Sequence, residues 1–140
     1  MYDHILLAVD HSEQSDRAVL AARDLAKLSG GTVQLLHVRE RQVVVGKGGG
    51  SFDLEDNEEA QAIVDQHVAV LEQAGVPFTT NIIHSEVGHV GREIVEAAKE
   101  AAADIVVMGS HGRTSLGALI IGSNAYKVLH LADRPVLVVR

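Results

Sequence analysis

The chain has 140 residues, 46% of them apolar but only 3% aromatic, and 12 basic against 19 acidic residues give a formal net charge of −7. That length fits one domain with a single core, and the acidic balance, with no run of Lys or Arg, argues against a nucleic-acid partner, whose phosphates are held by clustered cations. With no cysteine, disulfides and thiolate metal sites are excluded, and a reducing cytoplasmic setting fits. Met1-Tyr2-Asp3-His4 lacks the basic start of a secretory leader. No apolar stretch approaches the ~20 residues that span a bilayer, so no membrane partner is expected.

Ile5-Leu6-Leu7-Ala8-Val9 is a continuous apolar run ending in Asp10, which reads as a buried strand. Ser12 can cap the following helix, whose Ala18, Val19, Ala22, Leu25 and Ala26 recur at helical spacing until Gly30-Gly31. Residues 32–38 form the second strand. Residues 41–58 read as a mobile loop, because Gly46-Lys47-Gly48-Gly49-Gly50 has high chain entropy and little to bury. A helix then runs from about Asn57 to Ala74. Residues 78–84 read as a partly polar edge strand. A third helix spans residues 90–103, and residues 104–109 form a buried strand. A glycine-rich loop leads to a helix from about Ser123 to Leu131, and Val136-Leu137-Val138-Val139 is the last strand.

Strands alternating with amphipathic helices predict one α/β domain over residues 1–140. Its core is a doubly wound, five-stranded parallel sheet with helices on both faces. In such sheets ligands bind beyond the carboxyl ends of the strands. Asp10 to Ser12, Val38 to Arg39 and Gly109 to Arg113 fall there.

The segment with chemistry is Gly109-Ser110-His111-Gly112-Arg113, followed by Gly122-Ser123-Asn124, spaced G-x2-G-x9-G-S. Gly109 and Gly112 leave a strand end bare, so a ligand can approach the backbone. Gly122 and Ser123 open the last helix, where free N–H groups and the positive dipole end favour phosphate. His111 reads equally as a phosphate contact or a solvent-facing loop residue. Asp10, at the end of the first strand, can cap the following helix together with Ser12. Lys47 does not complete a Walker A motif, being followed by Gly48. The eight histidines show no metal-ligand spacing and read as scattered surface or loop residues, so no metal ligands are expected.

The sequence resembles the universal stress protein family, and within it the ATP-binding branch, whose signature is this G-x2-G-x9-G-(S/T). The likeness extends to the opening strand through Asp10, to Leu36-His37-Val38, to residues 103–109, and to Arg134-Pro135 with the last strand. The resemblance implies a Rossmann-like, adenine nucleotide hydrolase-like fold. It also implies roles. Ala8 and Val38 lie near adenine, and Asp10 contacts the ribose. Met108 and Gly109 support both. Gly112, Arg113, Gly122, Ser123 and Asn124 surround the phosphates. His11 and Asn124 depart from the small residues common at their positions.

The function expected is an ATP-binding stress or signalling module with at most slow hydrolysis. ADP and AMP are alternative ligands, and Mg2+ accompanies the triphosphate. The competing reading is a genuine ATPase or nucleotide hydrolase using Asp10 or His111 at the same site. The apolar last strand at a sheet edge is an aggregation hazard unless paired. The family resemblance implies a homodimer through Val136-Leu137-Val138-Val139.

Overall fold

The computed structural model describes residues 1–111 and 121–140. In chain order the elements are β1 (His4–Val9), α1 (Glu13–Ser29), β2 (Thr32–Val43), β3 (Ser51–Asp53), α2 (Asn57–Gln73), β4 (Phe78–Glu86), α3 (Val90–Glu100), β5 (Ile105–Gly109), α4 (Ser123–Leu131) and β6 (Val136–Val139).

β1 lies centrally, parallel to β2 on one side and β5 on the other, and β4 and β6 extend the parallel sheet to its two edges. The doubly wound fold class is therefore as the alternating pattern predicts. Among the described residues the partly polar β4 pairs only with β2 and is an edge strand, as its interrupted apolar pattern implies.

Among the described residues the sheet has six strands rather than the five expected. The extra strand arises inside the stretch read as a loop. β2 continues through Arg39, Glu40 and Arg41 to Val43 and turns back antiparallel as β3. The turn is closed by the Val44 N–H on the Gly50 carbonyl at 2.8 Å and the Gly49 N–H on the Gly46 carbonyl at 2.9 Å. Arg41 faces Glu86 of β4 and Asp53 of β3. β3 must therefore lie on the β1 side of β2, beyond the carboxyl end of β1.

Strand alternation divides the core between two faces. Ile5, Leu7, Val9, Val33 and Leu35 pack under α1 and α2. Leu6, Ala8, Leu36 and Met108 pack under α3 and α4. Ser12 caps α1, its hydroxyl accepting the Ser15 N–H, and Gly30 ends that helix at φ 72°, the left-handed geometry that favours glycine. Asp56 and Glu59 form a reciprocal capping box on α2.

Two histidines correct the expectation of surface or loop positions. His37 is 3% exposed and His67 is 1% exposed. His67 has its Nδ1 2.7 Å from the Ile63 carbonyl and its Nε2 3.1 Å from Asp16 of α1. Among the described residues no helix is long and apolar enough to cross a membrane.

Candidate functional site

Beyond the carboxyl ends of β1, β2 and β5 the sheet opens into a cleft, partly open to solvent. It lies at the switch point, where β2 and β5 flank β1 and the connections depart to opposite faces. Ala8, Leu36, Val38, Met108, Val90 and Ile94 give it an apolar floor.

Asp10 ends β1 at the rim. Its Oδ1 accepts the Ser12 N–H at 2.8 Å and the Ser15 hydroxyl at 2.9 Å, while the Asp10 N–H donates to the Ser15 Oγ at 2.8 Å. Asp10 thus orders the first turn of α1 and also lines the cleft. Both of those contacts fall on Oδ1, and Oδ2 makes none among the described residues. Ser12 does not line the cleft. Its hydroxyl caps α1 and donates to the His111 carbonyl at 3.2 Å, so it fastens the strand end after β5 to the loop after β1.

His111 and Asn124 line the opposite side of the cleft. The His111 Nδ1 lies 2.9 Å from the Ser110 hydroxyl. Gly122 is the N-cap of α4 and has no side chain to bond the helix start. The first N–H groups of the helix, on Ser123, Asn124 and Ala125, have no intrahelical acceptors and carry the positive end of its dipole.

Two glycines act differently from the expectation. The Gly122 N–H is committed to the Ser110 carbonyl at 2.6 Å, so the helix start presents its donors from Ser123 onward. A Cβ on Gly109 would meet the Gln14 Cβ at 2.7 Å and the Ser15 nitrogen at 3.2 Å. The bare strand end there admits α1 rather than a ligand. Gly109 nonetheless lines the cleft, as do Ala8, Val38 and Met108. Gly112 and Arg113 lie outside the described residues. Gly122 and Ser123 lie at the α4 start and do not line the cleft.

Polar residues absent from the sequence expectation also line it, among them His37, Glu40 and Glu55. Glu55 sits on the strap between β3 and α2. It hydrogen-bonds the Nε2 of His37, and both side chains are buried, 6% and 4% exposed. The other ring nitrogen of His37 contacts the Val9 carbonyl at 2.8 Å. Arg39 holds the same strap. Its guanidinium donates to the Glu55 carbonyl at 2.7 Å and to Asp53 at 3.2 Å, bonds the Asn57 side chain, and lies 3.2 Å from the His84 Nε2. The Arg41 guanidinium, 3.0 Å from Asp53, holds that carboxyl below its ordinary value, with Arg39 adding to the effect. No sequence motif marks Glu55, because its role depends on the β2–β3 hairpin returning the chain to β1.

The polar groups are sorted by kind. Carboxylates, Asp10, Glu40 and Glu55, gather at the β1–β2 end and can only accept hydrogen bonds when ionised. Backbone donors gather at the α4 end. Among the described residues no three His, Asp or Glu side chains form a metal site.

These features define a class: a doubly wound α/β protein with an apolar crevice at the switch point and a helix start suited to an anion beyond it. The chain belongs to the universal stress protein family, whose model matches residues 1–140. It is 31% identical to universal stress protein MJ0577 of Methanocaldococcus jannaschii, over 100% of this chain and 96% of that protein. It is 32% identical to universal stress protein YxiE of Bacillus subtilis, over 100% of both chains. Among solved structures, a universal stress protein from Archaeoglobus fulgidus superposes with a TM-score of 0.76 at 26% identity, covering 100% of both chains. Two further structures share the fold. One, from A. fulgidus, was solved in complex with dAMP, with TM-score 0.72 and 23% identity, covering 99% of this chain and 98% of that one. The other, a universal stress protein in complex with cAMP, has TM-score 0.74 and 22% identity, covering 99% of this chain and 97% of that one.

Proposed function

We propose that this chain is a cytoplasmic, ATP-binding regulatory protein of the stress response, working as a homodimer paired through β6. The observation that carries the reading is the polarised cleft: an apolar slot, carboxylate acceptors at one end and free helix N–H donors at the other. A nucleoside phosphate has that order of chemistry. Its base is flat and largely apolar on its faces, its ribose hydroxyls donate hydrogen bonds, and its phosphates accept them. Adenine then lies over Ala8, Val38 and Met108, the ribose diol meets Asp10, and the phosphates meet the α4 start at Ser123 and Asn124. The fold relatives solved with dAMP and cAMP support an adenine ligand.

Orientation follows from charge. Phosphates placed against Asp10 and Glu40 would be repelled, so the phosphate end points to α4. Those carboxylates stand at the sugar-and-base end. Mg2+ therefore arrives with the triphosphate, coordinated by its oxygens and water. The same arrangement suits retention of ATP better than its rapid hydrolysis, since Asp10 stands at the ribose end, away from the phosphates.

The test is mass spectrometry of the nucleotide released from denatured purified protein, followed by calorimetric titration. ATP is expected to bind at about micromolar affinity, from a few hydrogen bonds to charged oxygens offset by ordering. Turnover is expected far below the ~10 s⁻¹ enzyme median. No bound nucleotide and no binding heat would refute the reading. Turnover near the median would instead make the protein an ATPase.

A further inference from the structure

The His37–Glu55 pair is buried beside the cleft, and its contacts run toward Asp10. The Val9 carbonyl can only accept, so the His37 Nδ1 at 2.8 Å must carry a hydrogen. The Nε2 faces the Glu55 carboxyl, so the two side chains share one further proton, in either arrangement. This fixes the ring, and the ring fixes the Val9 carbonyl. The same peptide unit ends in the Asp10 nitrogen, which donates to the Ser15 Oγ at 2.8 Å. The Ser15 hydroxyl returns a bond to the Asp10 carboxylate at 2.9 Å. Asp10 is thus gripped twice, through its side chain by α1 and through its preceding peptide by the strap. The strap itself is anchored at the Glu55 carbonyl by Arg39 at 2.7 Å and at the Leu54 N–H by the Glu40 carbonyl at 2.9 Å.

We propose that Glu55, acting through His37 and the Val9–Asp10 peptide, is a positioning residue that sets the Asp10 carboxylate for a ribose diol. This rests on the adenine-nucleotide reading above. A carboxylate that accepts two hydroxyls must be placed to within a fraction of an ångström, and an oriented peptide supplies that placement. The arrangement parallels the outer-shell carboxylate–histidine pairs that orient metal ligands. Here the oriented group is a peptide carbonyl, and the beneficiary is the next residue.

The experiment compares ATP with 2′,3′-dideoxy-ATP by calorimetry on the full chain. The wild-type protein is expected to prefer ATP by at least about tenfold, the equivalent of one to two hydrogen bonds to a charged acceptor. Asp10→Ala should bring the ratio to about one. Glu55→Leu, which refills the space without a hydrogen bond, and Glu55→Ala should each bring it below about threefold. Glu55→Gln should keep most of it, because its amide can donate to Nε2 while Nδ1–H still holds Val9. Thermal melting identifies which variants are folded, and Glu55→Leu carries the comparison if Glu55→Ala is not. A ratio that survives in folded Glu55→Leu overturns the proposal, as does a Gln variant that falls as far as Leu, or a loss that is equal for both nucleotides. In those outcomes the nucleotide reading stands. A wild-type protein that binds both without distinguishing them overturns the inference alone, and one that binds neither overturns the nucleotide reading and the inference with it.

Discussion

Arg39 is 6% exposed, with His37 and Arg41 on either side along its face of β2 and a guanidinium bonded to the Glu55 carbonyl, Asp53 and Asn57. A buried cation is tolerated only when such partners replace water. Arg39→Ala would leave Asp53 and the Glu55 carbonyl without this partner. A loss of about 2–4 kcal/mol in urea unfolding is expected, in the range for removing one member of a buried charged network. Arg39→Lys should recover little of it, since a single ammonium cannot span the planar fork. Asp104 offers a test of opposite character. It accepts the His4 N–H at 2.9 Å, and that bond holds its carboxyl below the ordinary 3.8. A lowered folded value stabilises the native state above the unfolded value, and the gain is lost as pH falls below it through the folded value. Asp104→Asn should therefore differ most from wild type at pH 7, and the gap should narrow by pH 3, read from urea midpoints at both. Neither feature was legible beforehand. Asp10, at the end of an apolar run, could be singled out from its neighbours in sequence. Arg39 could be placed only at a strand end, and Glu55 not at all, because the partners that make them important are brought close only by the hairpin.

At the scale of elements, apolar periodicity located α1, α2 and β5 well, because each buries a face whose pattern is local. It missed the second half of β2. Arg39-Glu40-Arg41-Gln42 carries no apolar alternation, and the strand persists there because β3 and β4 supply ladder partners on both sides. The glycines of 46–50 were read for their entropy, whereas they also close a hairpin. The α4 start allows a clean test of the phosphate end. Pro is well tolerated at the first helical position, whose N–H has no intrahelical acceptor, and Gly122 at φ −61°, ψ 156° already has the extended geometry that precedes proline. Ser123→Pro removes one hydroxyl and one N–H donor. ATP affinity should fall about tenfold or more, one charge-assisted hydrogen bond or two, with a melting temperature close to wild type. A second test concerns the seating of α4. A Cβ on Gly91 of α3 would meet the Lys127 Cβ at 2.7 Å and the Asn124 carbonyl at 3.1 Å. Gly91→Ala ought to gain nearly 1 kcal/mol of helix propensity. The clash involves atoms next to the backbone, which cannot swing aside, so overpacking of about 1–3 kcal/mol should win. Calorimetric melting should show a net destabilisation, together with weaker ATP binding as Asn124 shifts.

The whole molecule combines a doubly wound core with one exposed liability. Among the described residues β6 pairs only with β5, leaving its outer edge without a strand partner there, and its four residues are all apolar. Such edges template association unless charged, covered or paired. Here Leu137 is 39% exposed, and no Lys, Pro or bulge interrupts the strand. The net charge of −7 discourages indefinite stacking, since each added copy adds like charge. A closed two-fold pair satisfies both constraints: it saturates the two edges against each other and stops. The proposed dimer therefore predicts a single dimeric species in sedimentation at micromolar concentration. Leu137→Lys places a cation on the edge and brings two like charges together across the two-fold axis. It should shift the protein to monomer while the β5–β6 ladder, on the other side of the strand, keeps the fold. A wild-type monomer at high concentration would refute the pairing. A Leu137→Lys protein that stays dimeric would place the interface elsewhere on the surface.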